Sequence, residues 1–245
     1  MTGSPVLILG AGSDMGQAIA RAFAAEGHAI QLAARNTAGL ETVRSDIALR
    51  HGVDVSLHGF DALDLQSHAA FVDGLPVLPE VAVCAVGLMG DQDDNQDDLT
   101  KGALVMRSNF EGPASILGLL ANRFETRGSG SLVGISSVAG DRGRATNYVY
   151  GSAKAGFTAY LSGLRNRLAK GGVHVVTVLP GFVNTAMTAG LDLPGKLTAE
   201  PEEVGTAVLR AVQKKRNVIY VRRIWWLIMM IIRNIPETVF KKLKI

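Results

Sequence analysis

The 245-residue chain contains one cysteine, Cys84. No intrachain disulfide can form, and a reducing, cytoplasmic setting is the expectation. A strong basic excess is also missing: the net charge is only +3, which argues against a nucleic-acid binder. No apolar run reaches the ~18 residues of a spanning helix. The opening MTGSPVLILGAG has no basic stretch before its apolar residues and no cleavage-site pattern, so it reads as a strand and not a signal peptide. No internal repeat and no linker interrupts the chain.

What is present fits a compact enzyme. Apolar residues make up 47% of the chain and there are 28 glycines, consistent with a buried core and many tight turns. A chain of this length buries roughly three quarters of its unfolded surface. Short continuous apolar runs predict strands over 6–9, 29–34, 53–60, 81–86, 131–136, 173–179 and 218–221. Helical spacing predicts helices over 15–26, 40–51, 101–126, 148–169 and 202–213. Strands this apolar are buried on both faces, which implies a parallel sheet covered by helices. The expected fold is a single doubly wound α/β Rossmann-type domain of about seven strands over 1–221, followed by an extension over 222–245.

Between the first strand and first helix stands Leu9-Gly10-Ala11-Gly12-Ser13-Asp14-Met15-Gly16. Glycines there let the backbone approach a pyrophosphate, and the helix N-terminus presents free N–H groups to the anion. The bland alternative is a plain turn. Asp14 is unwelcome beside phosphate unless it points away, or caps the helix. At the end of the second strand, where NAD-binding sheets carry an acid, the chain reads Leu32-Ala33-Ala34-Arg35. Arg35 suits a 2′-phosphate, which favours NADP(H) over NAD(H); otherwise it is an ordinary surface arginine.

Tyr150-Gly151-Ser152-Ala153-Lys154 places a phenol and an ammonium one helical turn apart. The ammonium is expected to favour the phenolate and bring the tyrosine towards working pH. Ser137 lies upstream, at the C-terminal end of a predicted strand, where open α/β sheets carry their sites. Asn109 sits in RSNFEGP, and PGFVNT at 180–185 follows the sixth strand.

Together these residues, in this order from about residue 5 to 221, resemble the short-chain dehydrogenase/reductase family. The glycine loop resembles that family's T-G-x-x-x-G-x-G, with Gly10 and Gly16 as the outer glycines and Asp14 in the middle glycine's place. The resemblance implies that Tyr150 is the general acid in reduction and that Ser137 hydrogen-bonds the substrate oxygen. Lys154 would bind the nicotinamide ribose and lower the tyrosine pKa, and Asn109 would hold a relay water. It further implies cofactor contacts from Gly10, Gly12, Ser13, Asp14, Met15, Gly16, Asp61 (adenine), Gly87, Pro180, Gly181, Val183 and Thr185. The family's NNAG reads here Cys84-Ala85-Val86-Gly87, and Cys84 is expected to be a small buried residue. Relatives pair through the two long helices, so a homodimer or homotetramer is expected; Gly151, Ala153, Ala155 and Gly156 are small enough for close helix contact. A lid is expected around 186–198, with Met187 and Leu191 as substrate contacts. The run DQDDNQDD at 91–98 reads as a solvated loop, and its acids show no metal-ligand spacing.

The extension reads IWWLIMMIIRNIPETVFKKLKI. Its nine apolar residues, if helical, cover about 14 Å against a bilayer core of ~30 Å and cannot span it. Arg222, Arg223 and Arg233 flank them, and Val239, Phe240 and Leu243 share a face opposed by Lys241, Lys242 and Lys244. Two readings stay open: contact with the inner face of a membrane, or packing on the domain or on another subunit. The extension, GLMGD at 87–91 and the GAGSDMG loop resemble, within the family, the decaprenylphosphoryl-2-keto-pentose reductase group. That narrower resemblance implies a lipid-linked keto-sugar substrate. The alternatives are a ketoacyl, aromatic or free-sugar ketone and, from a different class, a non-catalytic dinucleotide-binding module.

Overall fold

The computed structural model describes residues 3–190 and 192–243. Leu191 of the expected lid and Lys244 of the basic cluster lie outside them. The chain alternates strand and helix from the start: β1 (Gly3–Leu9), α1 (Asp14–Ala25), β2 (His28–Ala34), α2 (Glu41–His51), β3 (Val55–Gly59), α3 (His68–Asp73) and β4 (Val81–Cys84). Then come α4 (Gln92–Asp97), α5 (Leu99–Met106), a π-helical turn (Arg107–Glu111), α6 (Gly112–Arg127), β5 (Gly130–Ile135), α7 (Tyr148–Leu168) and β6 (Val173–Pro180). A short pair, β7 (Phe182–Val183) and β8 (Thr198–Ala199), brackets the lid segment. The chain continues through α8 (Pro201–Gln213), β9 (Val218–Val221), α9 (Ile224–Asn234) and α10 (Glu237–Phe240).

Seven strands form one parallel sheet in the order β3-β2-β1-β4-β5-β6-β9. Alternation along β1 shows why the strands read as unbroken apolar runs. Val6 and Ile8 face a core built with Ile19 and Phe23 of α1, Ile47 of α2 and Val204 and Val208 of α8. Leu7 and Leu9 face the opposite core, with Ile116, Leu120 and Phe124 of α6 and Phe157 and Leu161 of α7. The strand order reverses between β1 and β4, and such a switch point opens a crevice at the strands' C-terminal ends.

One expectation is refined and one fails, each for an identifiable reason. The long helix expected over 101–126 is present without a gap, but a π-helical turn separates α5 from α6 within it. Pro113 has no N–H to give to a carbonyl one turn back, so a regular α-helix cannot run through it unbroken. The acidic run is not a loop. Asp91 caps α4, accepting from the Asp93 and Asp94 amides at 2.9 and 3.1 Å. Asp98 caps α5, accepting from Thr100 and Lys101 at 2.8 and 3.3 Å. Carboxylates are good helix N-caps, so much of the charge is used locally.

The extension folds back on the domain. Trp225, Ile228, Met229 and Ile232, spaced as one helical stripe, join Val138, Leu179, Phe182 and Leu197 in a third apolar cluster. Arg142 closes the C-terminal end of α9, donating to the carbonyls of Ile232 at 2.7 Å and Ile235 at 2.6 Å. It pairs with Glu237 at 2.9 Å and stacks on Phe240. Among the described residues no helix is long and apolar enough to cross a membrane.

Candidate active site

A cleft of about 720 Å³ opens at the C-terminal ends of β1, β2 and β4, running from Arg35 and Asp61 past Gly10, Gly12 and Ser13 to Gly87. Gly10 has φ +85°, and a Cβ there would lie 2.9 Å from the Ala85 carbonyl carbon. Only glycine brings the end of β1 so near the exit of β4. Nothing lies within 4 Å of a Cβ at Gly12, so the backbone faces open space there. Ser13 caps α1 by accepting from Gly16 N at 3.1 Å. A bare loop opening onto the first turn of a helix is what a pyrophosphate requires, and these residues fit a dinucleotide. Met15 packs its side chain against the core, leaving its backbone for any ligand contact. Asp14 points away from the cleft, and its carboxylate accepts from Ala186 N at 2.8 Å. The helix cap is therefore Ser13, not Asp14, and the acid is used to hold the lid segment.

At the outer end Arg35 is exposed along the cleft wall. Asp61 is half-buried, with its carboxylate accepting from Leu63 N at 2.9 Å. The inner end reaches α7. A Cβ at Gly87 would lie 3.1 Å from Asn109 Oδ1 and 3.5 Å from Lys154 Nζ. Asn109 is fully buried, and its side chain is committed to the cleft wall. Its amide donates to the Leu88 carbonyl at 2.5 Å and the Val105 carbonyl at 2.8 Å, while its oxygen accepts from Leu88 N at 3.3 Å.

Ser137 follows β5 and is 9% exposed, its hydroxyl accepting from Ala139 N at 3.1 Å. Gly151 lets this segment sit on the first turn of α7, since a Cβ there would meet the Ala139 carbonyl oxygen at 2.8 Å. Lys154 is buried; its Nζ donates to the Ile135 carbonyl at 2.9 Å and lies 5.7 Å from the centre of the Tyr150 ring. Burial pushes the Tyr150 phenol up to about 12, with hydrogen bonding to Ser137 acting the other way. Burial also pushes Lys154 down to about 8 and the Cys84 thiol up to about 11. The net shift of the tyrosine is therefore upward, against the lowering expected from the lysine. Burial disfavours the charged form of each group, and the opposing influences come from Ser137 on Tyr150 and from Cys84 on Lys154. The result is a phenol held protonated at neutral pH. Tyr148, the neighbouring phenol, is exposed and donates to Gln96 of α4 at 3.2 Å.

Pro180 ends β6 opposite Val221, and Val183 is buried. Thr185 N donates to Thr188 Oγ1 at 3.2 Å, and that hydroxyl donates to Val183 O at 2.6 Å, curling the chain into the lid segment. The Met187 methyl reaches within 4.0 Å of a Cβ position at Gly87, at the inner end of the cleft. Sequence reasoning missed the contact at Gly181, where a Cβ would fall 1.9 Å from the Trp225 indole. The tail tryptophan occupies the space a side chain would need, within the motif expected to meet the nicotinamide. The two Trp were visible in the sequence, but nothing there says which one turns inward.

Residues 4–194 match the model of the short chain dehydrogenase family. The chain is 36% identical over 245 residues to an uncharacterized oxidoreductase of Mycobacterium tuberculosis, covering 98% of this chain and 97% of that protein. It is 32% identical over 241 residues to an uncharacterized oxidoreductase of Streptomyces coelicolor, covering 97% and 95%. Among solved structures, a short-chain dehydrogenase from Sphingobium yanoikuyae in complex with NADPH superposes with a TM-score of 0.80 at 24% identity, covering 96% of this chain and 97% of that one. That last likeness is one of fold.

Proposed function

The chain belongs to the short-chain dehydrogenase family, and on that premise we propose that it is an NADP(H)-dependent reductase that converts a ketone to a secondary alcohol. The observation that carries this reading is Tyr150. It is a phenol beside Ser137 and one turn from Lys154, whose Nζ reaches Gly87 at the inner end of a cleft with a glycine loop along its wall. When bound, a reduced nicotinamide would supply the hydride for the carbonyl carbon. Ser137 orients the carbonyl oxygen by hydrogen bonding. As negative charge develops on that oxygen, Tyr150 transfers its proton to it. An alkoxide is far more basic than a phenolate raised to about 12, so the transfer runs downhill. Lys154, cationic below about pH 8, stabilises the phenolate that remains until solvent returns a proton. Gly10, Gly12 and Ser13 would receive the pyrophosphate, Asp61 the adenine end and Arg35 a 2′-phosphate. Pro180, Gly181, Val183 and Thr185 would border the nicotinamide. Asn109 contributes by fixing the Gly87–Leu88 backbone.

For the substrate we favour a lipid-linked keto-sugar presented at a membrane surface. Support comes from the outward side of α9, where Ile224, Trp226, Leu227, Met230 and Ile231 are all exposed. Exposed Arg223, Arg233, Lys241 and Lys242 surround them, a combination suited to an anionic lipid interface. A second reading, a water-soluble ketone with the tail as part of the lid, is favoured by Trp225 resting on Gly181. Self-pairing through α5, α6 and α7 is the proposed oligomer.

NADPH consumption by the pure protein, with a polyprenylphosphoryl 2-keto-pentose and with simple ketones, each with and without anionic vesicles, tests these readings. Turnover of the lipid-linked substrate, raised by vesicles, is the expected result. Turnover of simple ketones alone, indifferent to vesicles, would discard the lipid-linked substrate. No turnover of any carbonyl would discard the reductase.

A further inference from the structure

We infer that Arg222 and Trp225 are positioning residues for the segment 186–197, so that the start of the C-terminal extension sets the shape of the substrate side of the cleft. The inference rests on the reading above that the chain is a reductase and that a lid over 186–198 faces its substrate.

Three consecutive carbonyls at the far end of the segment are held by the extension. Arg222 Nη1 donates to Gly195 O at 2.9 Å and to Lys196 O at 3.0 Å. Trp225 Nε1 donates to Leu197 O at 3.0 Å. Each side chain is itself fixed from behind. Arg222 forms a two-point pair with Glu203 of α8, at 2.8 and 3.2 Å, which leaves its remaining donors aimed at the segment. The backbone of Arg222 adopts φ +56°, a left-handed conformation that a non-glycine residue holds only where its surroundings enforce it. That turn swings the chain from β9 into α9 and brings both donors onto the same stretch. Trp225 is 4% exposed, its indole lodged against Gly181 and edge-on to Phe182 at 5.2 Å.

The near end is held by the opposite side of the cleft. Asp14, from the glycine loop, accepts from Ala186 N at 2.8 Å. The β7–β8 pairing of Phe182 with Thr198 and Val183 with Ala199 closes the base of the segment. The strap therefore has one end tied to the dinucleotide loop and the other to the tail, with Met187 between them at the inner end of the cleft. Releasing the tail end frees the wall facing the substrate while leaving Asp14, the glycine loop, Tyr150 and Lys154 untouched. The chemistry of binding then separates from the chemistry of transfer, which gives the inference its test.

Hydrogen exchange read by mass spectrometry on the full-length protein, for Arg222→Ala and Trp225→Phe, tests the strap without any substrate. Both variants should exchange about fivefold or more faster over 186–198, with β1, α1 and α7 within about twofold of wild type. For Arg222→Ala, in turnover of whichever ketone the wild type accepts, KM should rise about five- to tenfold, with kcat and NADPH affinity within about twofold. Arg222→Lys, which keeps one charged donor, should recover part of both effects. Wild-type exchange over 186–198 in both variants would overturn the inference. So would a uniform rise across the whole chain, which would make these residues supports of the domain and not of the segment. A wild type that reduces no carbonyl would sink the reductase reading while the exchange result still decides whether the strap exists.

Discussion

The two ends of the cleft are held by different means. The dinucleotide end is made by the sheet: β1 runs into Gly10, β4 into Gly87, and α1 covers the core with Ile19 and Phe23. The apolar residues of β1 and α1 that build it are buried. The end proposed for the substrate is bordered by a late segment of chain held by Asp14 on one side and by Arg222 and Trp225 on the other. Helix α9 uses only one stripe of its apolar residues for this, and several of the others stay on the surface. The first arrangement is part of the core. The second depends on a few long-range side-chain contacts, and a handful of substitutions can change it without disturbing the sheet. A stable cofactor frame joined to an adjustable substrate wall would let related chains change substrate by altering the late segment alone.

The sharpest way to break the contrast is at the tail. Trp225→Ala should cost about 3–5 kcal/mol in urea unfolding, the usual loss for a buried large aromatic. A loss under about 1 kcal/mol would mean the tail is only loosely attached. At the other end, Gly10→Val forces a β-branched side chain onto φ +85° and into the Ala85 carbonyl carbon. NADPH affinity should fall by roughly 100-fold, about 2–3 kcal/mol, by calorimetric titration.

Between the ends, Lys154 makes stability depend on pH. Its folded pKa of about 8 lies below the ordinary 10.5, so between those values the unfolded chain binds the extra proton and stability rises with pH. Tyr150 acts in the opposite sense, its contribution being intact below the ordinary 10 and lost as pH climbs towards about 12. Unfolding free energy should therefore gain on the order of 2 kcal/mol from Lys154 between pH 8 and 10. Lys154→Met should lack that increment in denaturation run across the pH range. The smallest effect belongs to the outer face of α9. Trp226→Ser should change stability by less than about 0.5 kcal/mol, because its indole is 55% exposed. A loss like that of Trp225 would place the outer face in a contact between copies of the chain.

The sheet was legible because strands buried on both faces cannot hide their apolar runs, and the seven strands appear where those runs stand. The residues of the proposed catalytic end were legible because spacing alone puts Tyr150 and Lys154 on one helical face. Their titration was not, because sequence shows a charge nearby but not how far water is excluded. The π-helical turn before α6 could have been read from Pro113. The acidic run misled because Asp91 and Asp98 look solvated until one sees the amides they cap. The tail was half legible: its apolar stripe and basic flanks are plain, but the slot at Gly181 that receives Trp225 exists only once β6 and α9 are brought together.

The most direct measurement compares wild type and Tyr150→Phe, with NADPH binding followed by fluorescence and ketone reduction by loss of nicotinamide absorbance. The variant should bind NADPH within about twofold of wild type and lose on the order of 10²–10⁴-fold in kcat, the contribution of a positioned proton donor. Unchanged turnover in the variant would show that another group delivers the proton and that Tyr150 is not the catalytic acid.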